Sequence, residues 1–157
     1  MKRRRTICLL FLVLIPNISS AKDWSGLSPL HSKCEDVRRA LKVDKCVYPM
    51  SEYDLLDFRV TVFFSPEQCC ADPNGWRVPP KTVTGFLVSP KKEMLPSELG
   101  IDLSKYRKFG ESDVVGMVSY ENLDEGANLD LFGDYVQFAS FFPQASDEKL
   151  RCKSKDR

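Results

Sequence analysis

Leu56-Asp57-Phe58-Arg59-Val60-Thr61-Val62-Phe63-Phe64-Ser65 alternates apolar and polar side chains along most of its length. Phe58, Val60, Val62 and Phe64 fall on one face, and Arg59 and Thr61 on the other. A period of two is the signature of a strand with one face on a core and one towards water. The stretch therefore predicts a half-buried strand in an antiparallel sheet.

Downstream, breakers crowd residues 65–80: Pro66, Cys69-Cys70, Asp72-Pro73-Asn74-Gly75, Trp76 and Pro79-Pro80. This reads as a long loop. Lys81–Ser89 is the next strand, stopped by Pro90. Residues 90–112 read as mostly irregular, with one helical turn each at Pro96-Ser97-Glu98-Leu99 and Asp102-Leu103-Ser104-Lys105-Tyr106. Leu99, Ile101, Leu103 and Tyr106 supply apolar anchors to the domain. Val114–Glu121 is a strand, Asn122–Gly126 a turn, and Ala127–Phe132 a strand with Leu129 and Leu131 inward. Gly133-Asp134 has the length of a two-residue hairpin loop in which glycine takes positive φ, and Tyr135–Phe142 returns as the last strand.

Upstream, Ser32-Lys33-Cys34-Glu35 fits a capping box with Ser32 as N-cap and Glu35 at N3. Val37, Ala40 and Leu41 follow at helical spacing, predicting a short helix from about Lys33 to Lys42 with Val37 and Leu41 facing the core. A helix this short is marginal alone, so it must pack on the sheet. Cys46-Val47-Tyr48 is a further short strand candidate. Strand and helix do not alternate, which argues against a parallel sheet. The expectation is an α+β domain: a short N-terminal helix packed on an antiparallel β-sheet of about 4–6 strands.

The first residues have three parts. Lys2-Arg3-Arg4-Arg5 is a positive start, Thr6–Ile15 an almost purely apolar run, and Pro16–Ala21 a polar stretch with Ser19 and Ala21 at the small-residue positions. That order predicts a cleavable signal peptide over 1–21, cut after Ala21. The apolar run is about half of what a spanning helix needs, so no membrane span is expected once the signal is removed. The domain then covers 22–146, with a charged C-terminal tail over 147–157, and the protein is secreted or periplasmic.

The whole chain carries a net charge of +1. Residues 1–21 hold four of the positive charges and no negative ones, leaving about −3 for the remainder. A domain of that sign has no reason to seek a phosphate backbone, so no nucleic-acid partner is expected. Lys91-Lys92 and Lys105-x-Arg107-Lys108 read as solvated faces.

Of six cysteines, Cys8 leaves with the signal. Cys34, Cys46, Cys69, Cys70 and Cys152 remain as disulfide candidates. Five is odd, so two bridges and one leftover thiol are the simplest count. The favoured arrangement joins Cys69 or Cys70 to Cys46 and ties Cys152 to the other of the pair or to Cys34. Zinc sites want paired Cys/His spacings, and none is present beside the single His31.

No catalytic, cofactor-binding or metal site stands out. His31 could act as a base only with a nucleophile and an orienting acid around it. Ser28, Ser32 and Cys34 are near in sequence, which does not establish geometry. Asp124, Glu125, Asn128, Asp130 and Asp134 form the densest acidic group, but Asp-Glu-Gly-Ala-Asn-Leu-Asp does not follow the order of a calcium loop. Trp76, beside Gly75 and Pro79-Pro80, reads either as a plug for the end of the sheet or as a partner contact. Of Phe141-Phe142, one ring faces inward. An outer face carrying Tyr135, Ala139 and Phe141 is a candidate partner surface.

Gly26-Leu27-Ser28-Pro29-Leu30-His31-Ser32-x-x-Glu35-Asp36-Val37-x-x-x-Leu41 resembles the opening of small bacterial envelope proteins of the SmpA/OmlA (BamE-like) type. That resemblance implies a helix leading into an antiparallel sheet, as in the two-layer domains also found in beta-lactamase inhibitor proteins. Those envelope proteins carry a lipidated N-terminal Cys, whereas cleavage here would leave Lys22 first. Gly75-Trp76-Arg77-Val78-Pro79, Asp102-Leu103-Ser104-Lys105-Tyr106 and Asp147-Glu148-Lys149-Leu150-Arg151-Cys152 are similar to an uncharacterised family of exported bacterial proteins, a likeness that brings no activity. The function expected is a non-enzymatic binding or envelope-interaction module with a protein or small-molecule partner. The alternatives are a small-ligand carrier or a small secreted hydrolase with an unrecognised site.

Overall fold

The computed structural model describes residues 23–72, 74–111 and 115–153. The proposed signal over 1–21 and its cleavage point after Ala21 lie outside the described residues, as does Val114, the expected start of one strand.

The alternating stretch is the strand β2, Phe58–Phe64, with Val60, Val62 and Phe64 buried and Arg59 outward. Its neighbours are β1, Met50–Asp54, and β3, Val83–Pro90. The other strands are β4, Arg107–Glu111, β5, Met117–Asn122, β6, Ala127–Phe132, and β7, Tyr135–Phe141. All pair antiparallel in one seven-stranded sheet, in the order β1-β2-β3-β7-β6-β5-β4. Two meanders thus meet at β3 and β7, where Phe86 lies opposite Phe141 and Val88 opposite Ala139.

This order forces residues 91–106 to cross the sheet, because β3 sits in the middle and β4 at the far edge. The crossing segment makes 3-10 turns at Pro96–Leu99 and Leu103–Lys105. It buries Met94, Leu99, Ile101 and Tyr106 in the same core as Val60, Phe86 and Leu129. The helix α1, Cys34–Leu41, adds Val37 and Leu41, and the entry segment adds Trp24 and Leu27. Each large apolar side chain withdrawn from water contributes about 1.5–3 kcal/mol. Among the described residues the opposite face has no such cover, and Arg59, Phe63 and Phe138 stand exposed on it.

The expected sheet of about four to six strands under a short helix is therefore corrected. The sheet has seven strands and dominates the molecule, while the eight-residue helix is one part of a cover made largely of irregular chain. The unforeseen strands β1 and β4 lie at the two edges. An edge strand with one open face needs few apolar residues, so Met50-Ser51-Glu52-Tyr53-Asp54 and Arg107-Lys108-Phe109-Gly110-Glu111 carry no alternation. In β4 the register also slips between Lys108 and Gly110, at Phe109.

Cys46-Val47-Tyr48 is not a strand. The Val47 N–H donates to Ser51 Oγ at 2.6 Å and the Val47 carbonyl accepts from the same hydroxyl at 2.9 Å, which satisfies its backbone without a ladder. The helix cap also moves by one residue. Lys33 holds the N-cap position and its N–H donates to Asp36 Oδ2 at 2.9 Å. Ser32 is buried instead, accepting from the Ser28 N–H through its hydroxyl and from the Val83 N–H through its carbonyl.

The disulfides join Cys34 to Cys46 and Cys70 to Cys152, leaving Cys69 free and exposed. The expected pairing of Cys46 with Cys69 or Cys70 is corrected. The chain turns at Lys42, in the left-handed region at φ 56°, which brings Cys46 back to the start of α1 with a Cα–Cα distance of 6.0 Å.

Candidate functional site

A cleft of about 480 Å³ opens on the uncovered face, where β2 ends, β3 begins and the chain leaves β7. Its walls are Phe63, Pro66, Trp76, Phe142 and Pro143, with Ser65, Thr84 and Arg151 among its polar lining. Phe63 and Phe142 reach it because each is the outward ring of a Phe-Phe pair, the first of one and the second of the other, whose other member points into the core. Phe64 and Phe141 are buried, at 5% and 2% exposure, while Phe63 is 42% exposed.

Gly85 also lines the cleft, and here its lack of a side chain is required. A Cβ would stand 2.9 Å from the Phe141 carbonyl oxygen. The register slips beside it, between Phe63 and Phe64, where Phe63 pairs with Gly85 and Phe64 with Val83. Thr84 is the extra residue, a bulge that bends the strand end and re-aims its side chains.

The loop that supplies Trp76 is fixed at both ends. At its neck Ser65 is buried, with its hydroxyl donating to the Pro79 carbonyl at 2.8 Å and accepting from the Thr82 N–H at 3.0 Å. At its tip Asp72 Oδ1 accepts from the Asn74 N–H and the Asp72 carbonyl from the Gly75 N–H, closing a tight turn. The C-terminal segment then pairs with the loop. Trp76 bridges Arg151, the Arg77 N–H donates to the Leu150 carbonyl, and the Cys152 N–H donates to the Gly75 carbonyl. The Cys70–Cys152 bond locks the same two pieces together.

Arg151 holds the indole. Its guanidinium carbon lies 3.8 Å from the Trp76 ring centre. Nε and Nη2 donate to the two carboxylate oxygens of Glu148 at 3.1 and 3.2 Å, and Nη1 donates to the Asn74 carbonyl at 3.0 Å. A planar guanidinium anchored on both sides presents a fixed face to the ring. Trp76 therefore sits half-buried as a rigid wall of a cleft with aromatic and proline walls and a polar rim that includes Asp72, Asn74 and Thr84.

The structure does not bring the three residues expected at a partner surface together. Trp76 lines the cleft. Tyr135 is 38% exposed and begins β7, at the far end of the strand from Phe142, and it pairs with Phe132, also exposed. Phe141 is corrected to a core residue, stacked on Phe86 with ring centres 4.7 Å apart, because Phe142 takes the outward position instead. Ala139 is likewise buried.

His31 is exposed, with Nε2 at 3.8 Å from Asp147 Oδ1, and Asp147 Oδ2 accepts from the Gln144 N–H. In the acidic group, Glu125 faces Lys105 at 3.8 Å and Asp130 accepts the Ser119 hydroxyl at 2.5 Å, while Asp124 and Asp134 are exposed. Among the described residues, no three His, Cys, Asp or Glu side chains are grouped to hold a metal ion.

The chain matches no protein-family model, no curated protein and no solved structure. The residues that sequence reasoning missed are Phe63, Gly85 and Arg151, while of Phe141-Phe142 it expected one inward ring and placed Phe141 on the outer face. A doubled Phe at a strand end signals one outward ring at Phe63 and at Phe142. Nothing in the sequence signals that Arg151 reaches Trp76.

Proposed function

We propose that the protein is an exported, non-enzymatic binding module that seats an apolar segment of a partner polypeptide in the Trp76 cleft. The observation that carries this reading is a cleft kept open over bare backbone at Gly85, with the Trp76 wall fixed by Arg151 before any ligand arrives. Rigid aromatic anchors of this kind concentrate binding energy, because little ordering is lost when the partner docks. Export is supported by the leader pattern over 1–21 and by two disulfides, a bond type that persists outside the reducing cytosol. No helix of the described residues is long and apolar enough to cross a membrane.

Selection from a displayed peptide library tests the site. Peptides with aromatic, leucine or proline side chains are expected to be enriched, and Trp76→Ala should weaken a selected peptide roughly thirtyfold, as loss of a hot spot of about 2 kcal/mol implies. Tyr135→Ala should leave that affinity unchanged. Undiminished binding by Trp76→Ala refutes the site. N-terminal sequencing tests export, since the processed chain should begin at Lys22 and an intact Met1 counts against it.

A second reading, a small-ligand carrier, is favoured by a separate recess of about 650 Å³ beside the crossing segment, lined by Leu95, Pro96, Ile101, Leu103 and Leu131. Native mass spectrometry of freshly purified protein should then show an added small mass, and a clean unliganded mass argues against it.

A further inference from the structure

We propose that Cys69, Cys70 and Cys152 form an intramolecular thiol–disulfide exchange relay that moves one free thiol between the outer loop and the wall of the Trp76 cleft. Cys70 is bonded to Cys152, Cys69 is an exposed free thiol, and Cys69 Sγ lies 3.6 Å from Cys70 Sγ. That is contact between a nucleophile and a disulfide sulfur. The attacking species is the thiolate.

The exchange balances without an oxidant or a reductant. Cys69 loses its proton and attacks Cys70 Sγ. A Cys69–Cys70 bond forms, the Cys70–Cys152 bond breaks, and the electron pair departs on Cys152. Adjacent residues have Cα atoms only about 3.8 Å apart, below the usual disulfide range of about 4.4–6.8 Å, so this vicinal bond is the least stable of the three pairings.

Cys152 does not drift away while unbonded. Its N–H donates to the Gly75 carbonyl at 3.0 Å, the Arg77 N–H donates to the Leu150 carbonyl at 2.6 Å, and Arg151 stays on Trp76. Held there, the Cys152 thiolate attacks Cys69 Sγ. A Cys69–Cys152 bond forms, and the sulfur released on Cys70 takes up the proton that Cys69 gave up. One disulfide and one thiol are present before and after. The tether between the loop and the C-terminal segment survives, shifted by one residue.

The shift matters for the cleft because Cys70 lines it and Cys69 does not. Exchange therefore carries the free thiol from an exposed loop position into the cleft wall. There it can form a mixed disulfide with a seated polypeptide that itself brings a disulfide. The relay is independent of any ligand, and only this last consequence rests on the binding reading above.

The test is disulfide mapping of the unreduced full chain. After incubation at a series of pH values, exchange is stopped with acid, free thiols are alkylated with a maleimide, and the modified residue is located by fragment mass spectrometry. Label is expected on both Cys69 and Cys70, with the Cys70 label appearing roughly tenfold faster per pH unit while the thiolate is the minor form. Cys69→Ser should abolish labelling at Cys70. Cys70→Ser should retain a bridge, now between Cys69 and Cys152. Label confined to Cys69 at every pH overturns the relay, as does alkylation of both Cys69 and Cys152 in Cys70→Ser. Mapping needs no ligand, so a failed relay leaves the Trp76 peptide test standing, and a failed peptide test leaves the relay standing.

Discussion

The Arg151 guanidinium carbon stands 3.8 Å from the centre of the Trp76 ring, across a gap of some seventy-five residues in sequence. Two segments that share no local chemistry are thereby joined beside the cleft, and the bidentate contact with Glu148 fixes the angle at which they meet.

Arg151→Ala should therefore loosen Trp76 without unfolding the sheet. A partly exposed cation–π contact with its supporting hydrogen bonds is worth about 1–2 kcal/mol. Urea denaturation should show a loss of that size, and Trp76 emission should become more solvent-quenchable. Arg151→Lys keeps the charge but loses the planar fork, so it should behave much like Ala. A Lys variant as stable as the parent would show that charge alone holds the loop.

The two disulfides should differ in what they contribute. Cys70 and Cys152 are 82 residues apart, Cys34 and Cys46 only 12. Closing the longer loop removes more freedom from the unfolded chain, about 4.5 against about 3 kcal/mol in the chain-entropy account. Cys152→Ser should accordingly lower stability by about 1.5 kcal/mol more than Cys46→Ser in denaturant titrations. Equal losses would place the stabilisation in local packing around each bridge.

The contrast between what was legible and what was not follows from burial. β2, β6 and the β6–β7 hairpin were readable because each strand packs one face on the core, which imposes a period of two, and because Gly133 at φ 60° turns the hairpin. β1 and β4 were not, since an edge strand with an open face is under no such constraint. The cleft was legible only in part. Trp76 stood out by its size in a loop, but its partner Arg151 and its disulfide neighbour Cys152 arrive through long-range pairing that no local pattern encodes. Phe141 and Phe142 could be divided into one inward and one outward ring, but which was which depended on the register of β7 against β3.

Gly126 and Gly133 both take positive φ, at 62° and 60°, yet they should respond differently to alanine. At Gly133 nothing lies within 4 Å of a new Cβ, so the cost is the backbone conformation alone, roughly 1–2 kcal/mol. At Gly126 a Cβ would stand 2.1 Å from the Phe142 carbonyl oxygen, and the Gly126 carbonyl accepts the Phe142 N–H at 2.8 Å. Gly126→Ala must push the end of β7 away and should cost about 3 kcal/mol or more. Thermal melts of the two variants check the order. Equal shifts would mean that Phe142 yields freely, and the cleft wall it forms would then not be fixed.

Tyr106 sets an alkaline limit on stability. Its ring is buried in the core under the crossing segment. Burial raises the phenol pKa above its ordinary 10.0, and the negative charge of Glu125 raises it further. The sign follows from proton counting. Below pH 10 both folded and unfolded chains hold the proton and the group contributes no pH dependence. Above it the unfolded chain releases the proton while the folded chain keeps it, so stability falls as pH rises, by at most about 1.4 kcal/mol per pH unit for one proton. Tyr106→Phe cannot ionise in either state. Its denaturation free energy should therefore decline less steeply than that of the parent above pH 10, with parallel behaviour between neutrality and pH 9. Identical alkaline slopes would mean that the phenolate is admitted into the folded core, and that the crossing segment does not seal that edge of the sheet.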